Sequence, residues 1–147
     1  MKIYHSLKNI VLSLLTKRTV GVRILLINQG NVLLVKHTYQ SGWYTIGGAV
    51  DPRETPRQAI ERELKEEVGA TLLSPPKLFS VYYSFNEKHD DYIVFYTADS
   101  CSQVDVYSPE IAEQRWFPLN ALPDDITPAT RQRINEYLGT AAITDHW

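Results

Sequence analysis

The stretch Gly48–Ala70, GAVDPRETPRQAIERELKEEVGA, constrains this chain more than any other. It carries its own punctuation. Thr55 is a helix N-cap by type, and Gln58, three residues on, completes a capping box. Pro56 takes the first helical position, where a missing N–H costs nothing. Gly69 suits the left-handed position that ends a helix. The spacing predicts a helix from Pro56 to about Val68. On a wheel of about 100° per residue, Ile60, Leu64 and Val68 share one face, and Glu63, Glu66 and Glu67 fall in the adjacent arc. Arg57, Glu61 and Lys65 point elsewhere. One face therefore packs on the protein while three carboxylates line its border.

Like charges three and four apart on a helix repel by a few tenths of a kcal/mol, and by more when desolvated. An ExxEE run alone reads more often as a solvated face than as a site. Read as a site, it needs a cation, and carboxylate oxygens without His or Cys suit Mg²⁺ or Mn²⁺ rather than zinc. Mg²⁺ usually completes its shell with water and substrate phosphates, which points to phosphate-ester chemistry.

The rest of the chain sets limits. With 147 residues, 44% hydrophobic and 22% charged, it fits one folded domain and not a disordered chain. A net charge of −2 with mixed signs offers no basic surface for nucleic acid, so an anionic ligand must be held by local cations or by metal. The single cysteine, Cys101, excludes an internal disulfide and suits a reducing, cytoplasmic setting. No run of 18 apolar residues is present, so no membrane span is expected. Tyr4, Leu7, Val11 and Leu14 recur at helical spacing, with Ile10 and Leu15 beside them. Residues 1–17 read as an amphipathic N-terminal helix (about Tyr4 to Thr16) preceding a domain of residues 18–147. That helix is expected to pack on the domain, with a dimer contact as the sharper alternative and membrane-surface binding a distant third, leaving monomer and homodimer both open.

From Thr19 the period becomes two, with apolar residues in both sets, as in a strand covered on both faces. Asn28–Asn31 is a turn, and Asn31–Thr38 a second strand of a hairpin. Further strands are expected at Thr45–Val50, Lys77–Ser84, Tyr92–Ala98 and Gln114–Leu119. Phe85–Asp91 reads as a turn and Asp99–Pro109 as a loop. Thr127, Pro128 and Gly139 bracket a final helix, and Thr140–Trp147 is left unassigned. The class is α/β (α+β).

The full spacing is Gly48, five residues, Glu54, seven residues, then Arg62-Glu63-Leu64-Lys65-Glu66-Glu67-Val68-Gly69-Ala70. This resembles the Nudix box at all seven fixed positions, a match with a chance on the order of 10⁻⁸ per starting position. Only the last aliphatic slot, Ala70, is a weak fit. The preceding hairpin, Gly42-Trp43 and the Arg115–Leu119 strand followed by a helix extend the similarity over about Thr19 to Gly139. The resemblance implies a Nudix-type α/β/α sandwich with a mixed central sheet. It also implies Mg²⁺- or Mn²⁺-dependent hydrolysis of a nucleoside diphosphate linked to another group. A catalytically silent nucleotide-binding or regulatory module of the same fold is the alternative.

By that resemblance, Glu63, Glu66 and Glu67 are metal ligands, with one of the three as base. The Gly48 carbonyl joins the shell, and Glu54 and Arg62 form a bracing ion pair. A later acid completes the site, Glu110 being favoured over Glu113. Arg23 and Lys36 are candidate phosphate contacts, and Trp43, Tyr44 and Tyr83 candidate base-stacking residues. One departure stands out. The family often has Pro before its paired glycines, where this chain has Ile46 before Gly47-Gly48. Downstream, Phe85, Asn86, Glu87 and Lys88 match neither the ADP-ribose nor the dinucleoside-polyphosphate pattern, which leaves a nucleoside di- or triphosphate, oxidised forms included, as the expected substrate.

Overall fold

β1 (Arg18–Asn28) is the strand on which the others assemble. In the computed structural model, which describes residues 17–147, its first part lies parallel to β6 (His89–Ala98), from Arg18↔Asp90 to Leu26↔Ala98. The same part runs antiparallel to the short β3 (Ile46–Ala49), and its end pairs with β2 (Asn31–His37) across the hairpin. β5 (Lys77–Asn86) and β8 (Ile111–Pro118) close the two edges, giving a mixed six-stranded sheet in the order β5-β6-β1-β2-β8, with β3 pairing β1 off that path. β4 (Ala70–Leu72) and β7 (Cys101–Gln103) form a separate two-stranded sheet. The expected N-terminal helix lies outside the described residues.

The two-faced reading of β1 holds. Val22, Ile24 and Leu26 enter a core under helix α1 (Pro56–Val68), while Leu25 and Ile27 enter a second core with Ile134 of helix α2 (Pro128–Leu138). α1 begins and ends where its sequence says. Thr55 Oγ1 accepts from the Gln58 N–H at 3.1 Å, Gln58 Oε1 accepts from the Thr55 N–H at 2.9 Å, and Gly69 is left-handed at φ 66°. Its fully buried Ile60, Leu64 and Val68 contribute about 1.5–3 kcal/mol each.

Three expectations need correction. The Phe85–Asp91 turn is far shorter, because Glu87 and Lys88 adopt φ of 47° and 64°, and the ladder zips down to Asn86↔His89. A two-residue turn with both φ positive matches strand twist, so no longer loop is needed. The Asp99–Pro109 loop contains β7, paired to β4 immediately after α1. The last strand starts earlier, at Ile111, which lies opposite His37 of β2.

Candidate active site

The wheel places the carboxylates as expected, and burial divides them. Glu63 and Glu67 are buried, 9% and 4% exposed, whereas the Glu66 side chain is mostly exposed. Arg62 stands at the centre of this acidic group. Its Nε and Nη2 donate to the two Glu54 carboxylate oxygens at 2.8 and 2.9 Å. Nη1 donates to Glu63 at 2.8 Å and Glu66 at 3.3 Å, and Nη2 to the Ala49 carbonyl at 3.0 Å. Asp51 lies 3.5 Å from Nη2. This bidentate contact holds Glu54 down to about 2 and ties the loop before α1 to the helix.

β3 brings its glycines against these acids. A Cβ on Gly48 would sit 2.5 Å from Glu63 Oε1, and one on Gly47 would overlap the Val22 carbonyl of β1. The Gly47 N–H donates to Glu67 Oε2 at 3.3 Å, the one hydrogen bond Glu67 accepts among the described residues. Burial first, and then the neighbouring Glu63 charge, push Glu67 up to about 7, against the pull of Arg23 and Gly47. Burial also raises Glu63, with Arg62 opposing.

Glu63, Glu66 and Glu67 border a cleft of about 530 Å³ whose far wall is the segment from Val106 to Glu110. The cleft therefore holds Glu110. Glu113 instead pairs with Arg115 on β8. Arg62, Lys65 at the cleft border and Arg23 within reach of Glu67 are three cations against Asp51, Glu54, Glu63, Glu66, Glu67 and Glu110, an oxygen-only donor set still short of positive charge, which fits a hard divalent cation. No three of the described His, Cys, Asp and Glu side chains are already gathered at one point. Loading a cation there would require Glu63 and Glu66 to turn from Arg62.

The other candidates scatter. Arg23 donates to the Thr45 and Gly47 carbonyls at 3.2 and 3.4 Å and borders a second groove, of about 330 Å³. Its charge reaches Glu67, so it stands between groove and cleft. Lys36 is drawn away. It pairs with Asp125 at 3.0 Å and sits 4.9 Å over the Trp43 ring. Trp43 itself is 3% exposed, wedged edge-on against Phe117, because its backbone is pinned to Asp125 and Thr127. Neither is placed to meet substrate as expected. Tyr44 packs on the first core beside His37, 4.9 Å between centroids. Tyr83 donates its hydroxyl to Asp90 at 3.0 Å and borders neither space.

Sequence reasoning overlooked the groove residues Ser84, Asn86, Asp91 and Trp147. In sequence, Asn86 is only a mismatch to known patterns, and Trp147 lies in a tail with no period to read.

A Nudix domain model matches residues 17–137. The chain belongs to the Nudix family. A relative from Stutzerimonas stutzeri, an NAD-capped RNA hydrolase, is 32% identical over 78% of this chain, which spans only 41% of that protein's length. A Bacillus subtilis relative described as a putative 8-oxo-dGTP diphosphatase is 28% identical, over 81% of this chain and 79% of its own. Among solved structures, a MutT Nudix hydrolase from Burkholderia pseudomallei superposes with a TM-score of 0.72 at 27% identity, covering 81% of this chain and 97% of that one. The mixed sheet is thus the Nudix fold.

Proposed function

We propose that this Nudix chain is a Mg²⁺- or Mn²⁺-dependent pyrophosphohydrolase that cleaves a diphosphate linkage in a nucleoside di- or triphosphate, oxidised forms included. The observation that carries this reading is the single cleft shared by Glu63, Glu66, Glu67 and Glu110, with Gly48 against Glu63. In this reading, those carboxylates and the Gly48 carbonyl hold the cations. When bound, divalent ions neutralise the diphosphate and make water more acidic. Arg62, through its grip on Glu54, braces the loop against α1 and holds Glu63 and Glu66 at the border of the cleft until they turn to a cation. Arg23, at the border of groove and cleft, meets the phosphate chain as it passes between them. Displacement at phosphorus needs mostly positioning and electrostatic stabilisation, which this arrangement supplies.

The Bacillus subtilis relative, described as a putative 8-oxo-dGTP diphosphatase, supports a free nucleotide as the substrate. Phosphate release should be screened over nucleoside di- and triphosphates and their derivatives with Mg²⁺ or Mn²⁺. Hydrolysis that vanishes with chelator and in Glu67→Gln supports the reading. Nucleotide binding without turnover under every metal would replace it with the silent module.

A further inference from the structure

The strap of residues 140–147 leaves α2 and folds back so that Asp145–Trp147 lies along the edge of β5, held there by a clamp. The Tyr83 N–H donates to the Asp145 carbonyl at 2.7 Å, and the Trp147 N–H to the Tyr83 carbonyl at 2.9 Å. Beneath this strap lie Arg133 and Glu136 of α2, 2% and 0% exposed in their side chains, 2.6 Å apart. Glu136 Oε1 accepts from the Thr144 N–H at 2.7 Å, and Oε2 from the Tyr82 hydroxyl at 3.1 Å. Arg133 Nη1 donates to the His146 carbonyl at 2.9 Å. A buried ion pair is seldom worth more than the apolar side chains that would replace it. Here both members reach out to the strap, so the pair specifies where the strap goes.

What the clamp positions is the Trp147 indole. Arg133 lies over its ring at 5.2 Å, while Tyr82 and Phe95 meet it at 5.6 and 5.7 Å between centroids. Trp147 also borders the 330 Å³ groove, where it is the one aromatic lining residue among the described residues. The groove also presents Ser84, Asn86 and Asp91. Asp91 Oδ1 accepts from Thr19 Oγ1 at 2.7 Å, and the Asn86 amide has no hydrogen-bond partner among the described residues. Gly48 borders the groove too, and a Cβ there would point at Glu63, so a ligand lying in the groove adjoins the acidic cleft.

We propose that the strap is the specificity element of this chain. Trp147 is the flat wall on which a purine base stacks, Asp91 and Asn86 read the base edge, and Arg133 with Glu136 are positioning residues that hold the wall. This rests on the nucleotide-hydrolase reading above, and deepens it by naming the nucleoside part that the site selects. An indole favours the larger π-face of a purine over a pyrimidine, and base–aromatic stacking is lost with aliphatic replacement.

The test compares wild type, Trp147→Leu and Trp147→Phe with purine and pyrimidine nucleoside triphosphates. For Trp147→Leu, KM for the purine should rise about 5- to 150-fold, with a smaller rise for the pyrimidine and the effect carried by KM rather than kcat. Trp147→Phe should restore most of the affinity. In chelator, purine nucleotide should quench wild-type tryptophan fluorescence, and the quench should be lost in Trp147→Phe, which still contains Trp43 and Trp116. Equal KM changes for both bases, an unchanged KM, or a quench that survives in Trp147→Phe would each overturn the proposal. If wild type turns over no nucleotide, the enzyme reading fails, while the quench in chelator still decides the strap. If Trp147→Leu does not fold, the Trp147→Phe quench decides it alone.

Discussion

Two arginines organise this molecule, and their surroundings differ in one respect that separates site from scaffold. Arg133 faces one carboxylate, Glu136, and every neighbour of the pair is turned inward or onto the strap. Arg62 faces Glu54, Glu63 and Glu66, with Asp51 just beyond, and two of these carboxylates, Glu63 and Glu66, border a cleft. The first group is balanced in charge and closed. The second is short of positive charge and borders solvent. Burial alone does not tell them apart, since Glu67 is nearly as buried as Glu136. The count of cations against carboxylates does.

The sharpest way to break this contrast is to exchange the consequences. Glu67→Gln should lower metal-dependent turnover on the order of 10³-fold, since several kcal/mol of transition-state charge stabilisation passes through such ligands. Its thermal stability should hold or rise, because removing a buried charge near Glu63 relieves repulsion. Arg133→Ala should do the reverse. It leaves Glu136 buried and unpaired, at a cost of about 3–5 kcal/mol, seen as a large drop in Tm, with kcat per folded molecule much less affected. Should Glu67→Gln unfold the chain, or Arg133→Ala abolish kcat in a folded one, the division is wrong.

The paired glycines carry the same contrast at smaller scale. At Gly48 an added Cβ meets only the Glu63 carboxylate, a side chain that can shift. Gly48→Ala should therefore lower turnover roughly 10- to 100-fold, the scale of losing one well-placed group, with a small change in Tm. At Gly47 the Cβ meets the β1 backbone, at φ 150°. Gly47→Ala should cost stability as well as activity, read by soluble yield and Tm.

Glu67 also sets a pH dependence. Its folded value, about 7, lies above its ordinary 4.5, so its contribution is fully present below about 4.5 and is lost as pH rises through about 7. Metal-free protein should lose up to about 3 kcal/mol between pH 5 and 8 from this group alone. Glu54, held near 2, acts in the opposite sense but only below its ordinary 4.5, outside that window. His37, lowered first by burial and then by Arg23, loses stability as pH falls below 6.5, which opposes Glu67 over part of the range. The difference in Tm between wild type and Glu67→Gln isolates the Glu67 share. Adding Mg²⁺ should flatten it, and a slope indifferent to Mg²⁺ would remove Glu67 from the metal set.

What could be read from sequence was what is local. Thr55, Gln58, Pro56 and Gly69 signal within a span of fifteen residues, and so do the carboxylates, whose spacing alone fixes a face. The alternation in β1 showed two cores, because burial on each face is written into successive residues. What failed was non-local. Lys36 and Trp43 have the right chemistry for substrate, but Asp125, far later in the chain, claims the lysine and pins the Trp43 backbone. β4 and β7 are too short to show a period, and exist because they find each other. The strap carries no hydrophobic pattern at all. Arg133 and Glu136, three apart on α2, carry no sign in sequence of the chain they hold.

The two helix caps give the smallest and most local test. Both helices among the described residues start with Thr-Pro, yet Thr55 has the reciprocal Gln58 bond and Thr127 does not. Thr127 Oγ1 accepts from the Thr130 N–H at a long 3.4 Å and spends its own proton on Thr130 Oγ1 at 2.7 Å. Thr55→Ala should therefore cost about 1 kcal/mol, the usual loss for a removed cap, and Thr127→Ala less. The frayed turn of α1 in Thr55→Ala would be Pro56–Ala59, one turn before Glu63. Arg62 is anchored to Glu54 and Ala49 independently of that turn, so turnover should stay within about twofold of wild type. A much larger loss of turnover would show that the cap, and not the Arg62 bridge, sets the register of the carboxylates.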